Sequence, residues 1–173
     1  DFREPTLEAV HAEMRRAVAA GGLVSVNHPK PWGPEWDYGV MAGAHAVEVW
    51  NGPWERMNAI CVAEWEERLL RGERYVAVGG SDTHAIRVDP GIGPLRKPRL
   101  GEPTIWVDVG GTLTVEAVLT GIRAGRSFLS VSPAGPQLYL SGDGRGARIR
   151  VVGGAGATLA LVADAERILI ESI

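Results

Sequence analysis

Cysteine is nearly absent. Cys61 stands alone among 173 residues, which excludes an internal disulfide framework and any cysteine-based zinc cluster. Its place in a helical pattern suits a small buried apolar group better than a nucleophile. Apolar runs long enough to span a bilayer are missing, and no signal-peptide pattern is visible. Basic residues form no run interleaved with aromatics, and the formal net charge is −3, so neither a nucleic-acid partner nor a membrane is expected. What remains is a chain 45% hydrophobic and 23% charged, ordinary for one globular domain with at most a small appendage.

What is present centres on Gly79-Gly80-Ser81-Asp82-Thr83-His84, which follows the apolar run Tyr75-Val76-Ala77-Val78. This is the layout of a buried strand whose carboxyl end empties into a loop. In extended backbone, side chains alternate faces, so Asp82 and His84 project to the same side. A carboxylate and an imidazole presented together suit a divalent metal. The pair has an equally simple structural reading, in which Asp82 caps a turn and His84 is satisfied in the core.

The rest of residues 1–133 alternates helices with short apolar strands. Thr6 is a helix N-cap, with Glu8 in the first turn and Leu7, Val10, Met14 and Val18 at helical spacing until Gly21-Gly22. His11 shares that stripe and reads as a packed or half-exposed histidine. Leu23–Val26 is a strand running into Asn27-His28-Pro29, followed by a loop in which Trp32 and Trp36 either wall a pocket or cover the core edge. His45–Trp50 is the next strand, and strict alternation puts Ala46, Glu48 and Trp50 on one face. A carboxylate in an apolar strand needs a cation, a basic partner or exposure. Trp54–Arg71 reads as the longest helix, Thr104–Val109 and Ser127–Val131 as strands, and Thr114 as the cap of the helix between them. After Pro133 four alternating strands separated by Gly-rich turns form a helix-free meander.

Alternating helices and strands predict a parallel sheet covered by helices, open or closed into a barrel. Sites in such folds collect at the carboxyl ends of strands. His28, Glu48 and the Asp82/His84 pair all stand at or near such ends, and three segments offering metal ligands at equivalent positions weigh more than any one.

Asn27-His28-Pro29, Val47-Glu48-Val49-Trp50-Asn51-Gly52, Gly79–His84, Gly101-Glu102-Pro103-Thr104 and Arg123-Ala124-Gly125-Arg126 together resemble the PHP superfamily of metal-dependent hydrolases and phosphoesterases, its CehA/McbA-like group most of all. The resemblance covers roughly residues 6–136, and more loosely the β-rich tail. It implies an α/β fold: part of a distorted (β/α)7 barrel over residues 1–133, then a small all-β C-terminal extension over 134–173. It also implies a site for divalent metal ions (Mn, Zn or Fe). On this resemblance His28, Glu48, Asp82 and His84 are metal ligands, Asp82 and His84 are catalytic, and Asn27 and Ser81 orient the ligands beside them. The substrate is a small-molecule ester, with phosphate, carbamate and other esters all open.

The family pattern begins with a His-x-His strand. Here the four histidines are His11, His28, His45 and His84, so that motif is lacking and the metal site is expected to be incomplete. A start at Asp1 and an end inside a strand pattern suggest a C-terminal fragment, active only within the intact protein. It would pair either with the missing N-terminal segment or with a second copy that covers an open sheet edge. The compartment stays unknown, cytoplasm being the default. In the loop after His84, Arg87, Arg96, Lys97 and Arg99 either contact an anionic group of the substrate or form a solvated surface. Two rival readings are a non-catalytic binding or regulatory module with a degenerate metal centre, and a docking role for the β tail.

Overall fold

Local chemistry sets the helix starts. Thr6 is extended, and its Oγ1 accepts the Ala9 N–H at 3.2 Å, which opens helix α1, Leu7–Ala19. Thr114 does the same for Ala117 at 3.1 Å, opening α3, Val115–Arg123. Between them lies α2, Arg56–Leu70. These elements come from a computed structural model that describes residues 6–29, 43–84, 99–142, 146–163 and 166–173.

The centre is a parallel sheet of β1 (Ser25–Val26), β2 (Ala46–Asn51) and β3 (Val76–Gly80), in that spatial order. Parallel neighbours need a crossover, and α2 is the crossover from β2 to β3. Val26 and Val47 are paired in register across β1 and β2 and are each 1% exposed. With Val49 and Cys61 they form the buried core, against which Val62, Trp65, Tyr75, Ala77 and Leu129 pack. Cys61 is therefore a small core residue, as its place in the helical stripe implies. The helix also buries Asn58, whose Oδ1 accepts the Asn51 N–H and whose Nδ2 donates to Pro53 O, both at 3.0 Å. Those bonds satisfy the amide and tie the start of α2 to the end of β2.

The β2–β3 register slips between Glu48↔Val78 and Trp50↔Gly79. Val49 is the extra residue of a bulge, and a bulge re-aims the side chain that follows it. Strict alternation placed Trp50 on the Glu48 face. Instead Val49 and Trp50 both border a cavity against α2, with Trp50 Nε1 donating to Gly52 O at 2.9 Å.

The (β/α)7 barrel is overturned. Among the described residues only β2 has parallel partners on both sides, and the parallel ladder stops at β3. The next strands, β4 (Thr104–Val107) and β5 (Ser127–Ser130), pair antiparallel with each other as a separate sheet, with α3 between them in the chain. A barrel closes only through an unbroken ring of ladders. Four small sheets with three helices among the described residues make a small mixed α/β protein. The tail departs from a continuous meander as well. Strands β6 (Gln137–Ser141) and β7 (Arg148–Val152) form one antiparallel pair, and β8 (Thr158–Ala163) and β9 (Glu166–Ser172) another. No helix among the described residues is long and apolar enough to cross a membrane.

The close approach of β2 and β3 depends on Gly79. A Cβ there would lie 2.7 Å from the Trp50 carbonyl oxygen and 3.3 Å from Leu129 Cδ2. We expect Gly79→Ala to destabilise the protein by about 1–3 kcal/mol through overpacking, read as a lower urea midpoint at unchanged slope. Gly111→Ala, with open space around its Cβ, is the control. Equal midpoints for the two variants would show that the strands separate freely at the bulge.

Candidate functional site

Glu48 is the third residue of β2 and is 7% exposed. Both neighbouring strand ends supply groups around it. From the segment after β1, the His28 backbone N–H donates to Glu48 Oε2 at 2.9 Å. From its own strand, Asn51 Nδ2 donates to the same oxygen at 3.3 Å. From β3, Gly80 lies so close that a Cβ there would sit 3.4 Å from Oε1. Backbone bonding closes this end of the sheet, with Gly52 N–H donating to Gly80 O at 2.8 Å.

Burial raises the Glu48 carboxyl pKa above its ordinary value, and the negative charge of Asp82 raises it further. Hydrogen bonding from Asn51, the charge of His28 and the His28 N–H oppose that shift without cancelling it. Glu48, His28 and Asp82 therefore lie within electrostatic reach of one another. His84 joins through Asp82, with its Nε2 3.0 Å from Asp82 Oδ1. The outer pair is open to water, the side chains being 85% exposed for His84 and 46% for Asp82.

Two of these residues hold unusual backbone. His28 has φ 34° and Asp82 φ 50°, and no other described residue except glycine has positive φ. Such conformations cost of order 1–3 kcal/mol each and cluster at functional sites. Here they turn the chain directly after β1 and β3, on either side of Glu48.

His28, Glu48, Asp82 and His84 thus form a connected row at the carboxyl ends of the parallel strands. The donor types, carboxylates and imidazoles, suit a divalent ion of the Mn, Zn or Fe kind. Their arrangement does not close on one point. Glu48 Oε2 faces two N–H donors, Asp82 Oδ1 faces His84, and no three His, Cys, Asp or Glu side chains among the described residues surround a common cation position. The row therefore does not form a closed ligand set among the described residues.

Of the other expected site residues, Asn27 is exposed and Ser81 half-buried. The amide that steadies Glu48 belongs to Asn51 instead. Asn51 reads in sequence as one half of an Asn-Gly turn, and its three-residue spacing from Glu48 was the available signal. Arg99 is exposed. Arg87, Arg96, Lys97, Trp32 and Trp36 lie outside the described residues. In comparisons with protein-family models, curated proteins and solved structures, nothing matches this chain.

The raised pKa of Glu48 has a consequence for stability. Between the ordinary carboxyl value of 4.5 and its raised value, the folded state keeps a proton that the unfolded state has released. Stability from this group therefore falls as pH rises through that window and levels off above it. Gln at this position keeps an acceptor for the His28 N–H and cannot ionise. We expect Glu48→Gln to gain stability relative to the parent as pH rises from about 4 to about 8, measured by urea unfolding at each pH. Parallel curves for the two proteins would show that Glu48 ionises as freely folded as unfolded.

Proposed function

We propose that this chain carries part of the catalytic site of a metal-dependent hydrolase acting on small-molecule esters, phosphoesters foremost. The observation that carries the reading is the buried Glu48 carboxylate, bracketed by His28 and Asp82, both in left-handed backbone at the ends of neighbouring parallel strands. Burying a carboxylate without a full partner is costly, and strained backbone on both sides of it adds to that cost. A fold keeps such an arrangement where a site requires it. The motif resemblance to the PHP superfamily points the same way, and it rests on those residues, not on a barrel.

Within this reading Glu48, His28, Asp82 and His84 contribute ligands. A bound divalent ion supplies Lewis acidity toward the ester oxygen and a more acidic water. The chain's own residues hold and orient. Asn51 and the His28 N–H fix one oxygen of Glu48, and Gly80, without a Cβ, leaves room beside the other. His84 fixes Asp82 through their mutual hydrogen bond, as partners of ligand carboxylates do.

A second reading is a non-catalytic binding module with a degenerate centre. The mutual pairing of Asp82 and His84 favours it, because each spends on the other an atom that a cation needs.

Calorimetric titration of the 173-residue chain with Mn and Zn separates these readings. Weak binding is expected, lost in the Asp82→Ala/His84→Ala variant, whose fold is checked by urea unfolding because Asp82 holds φ 50°. The isolated chain is expected to turn over little or no p-nitrophenyl phosphate, its ligand set being partial. Metal affinity identical in parent and double variant would sink the hydrolase reading and leave the binding module.

A further inference from the structure

On the α2 side of β2 lies a cavity of about 800 Å³, within the size range of small-molecule sites. Glu48 is not among its lining residues. Its walls are aromatic to an unusual degree for a chain with few aromatics, including Trp50, Trp54, Trp65, Tyr75 and Phe128. Trp50 and Trp54 meet edge to face, with centroids 4.9 Å apart and planes at 78°, which gives that end of the cavity a rigid corner.

The polar groups in this wall share one character. Arg74 and Arg123 are cations, and no carboxylate lines the cavity among the described residues. His45 also borders it, and its Nδ1 accepts the Val24 N–H at 3.2 Å, so the neutral ring carries its proton on Nε2 as a donor. Ser127 lines the cavity too, with its Oγ buried away from the open space. Arg123 is already committed to the Gly21 carbonyl and to Glu116, 3.8 Å away. Arg74 has no ion pair among the described residues.

We propose that this cavity is a second binding site, for a flat aromatic anion of the aryl carboxylate or sulfonate class. The ring system stacks among the tryptophans, and the anionic group meets the Arg74 guanidinium. A positive, donor-lined aromatic pocket in a chain of net charge −3 selects for such a ligand over a cation or a neutral polar molecule. The inference stands apart from the Glu48 row and survives if the hydrolase reading fails.

The test uses anilinonaphthalene sulfonate as an aryl sulfonate and phenylnaphthylamine as its uncharged counterpart, each titrated into the intact chain. Binding is read by probe emission and by quenching of the tryptophans. One-to-one binding of the sulfonate is expected, tighter than that of the amine. Arg74→Ala should weaken the sulfonate about tenfold and leave the amine unchanged. No binding, equal affinity for both probes, or a sulfonate affinity indifferent to Arg74→Ala would each overturn the proposal.

Discussion

The carboxylate of Glu48 is held below the surface by N–H donors from two places in the chain, and much of the local architecture follows from that. A carboxylate in the third position of a buried strand needs partners, and here they come from the segment after β1, through the His28 N–H, and from the end of its own strand, through Asn51. His28 turns into left-handed backbone after β1 and directs its N–H at Glu48 Oε2. Gly80 lacks a side chain where Glu48 Oε1 approaches. Asp82 turns in the same unusual sense after β3. Three segments distant in the sequence are thereby brought to one end of a three-stranded sheet.

The bulge at Val49 divides the sheet's two uses. Before it, Glu48 belongs to the polar end where the strands empty into loops. After it, Trp50 is turned away and joins Val49 in the wall of the aromatic cavity. One extra residue separates a row of candidate ligands from a donor-lined apolar pocket. Both depend on Gly79, since only a residue without Cβ lets β3 approach the Trp50 carbonyl so closely.

Beyond β3 the chain changes its pairing. Parallel ladders give way to three antiparallel pairs. Antiparallel pairs tolerate one solvated face, and the tail shows this in β7, where exposed and half-buried residues alternate from Arg148 to Val152. Contact between sheets is made by aromatic side chains. Trp106 and Phe128 stack with centroids 6.1 Å apart, Phe128 meets Tyr139 at 6.2 Å, and Arg150 covers the Tyr139 ring at 4.2 Å. That line of rings joins the β4–β5 pair to the β6–β7 pair.

Local elements are legible in the order of residues alone. Thr6 and Thr114 as caps and the apolar stripe of α2 around Cys61 follow from spacing and side-chain chemistry within a few residues. The sequence also singled out His28, Glu48, Asp82 and His84, because ligand-type residues at strand ends stand out against apolar runs. How these four relate is set by the assembled fold. Whether they close around a point or form a row depends on backbone turns at His28 and Asp82 that no periodicity reports. Closure was likewise beyond the pattern, since helix and strand alternation looks the same whether the ladder continues past β3 or stops there. Hydrogen bonds between strands join residues far apart in the chain, and their presence or absence is a property of the assembled sheet.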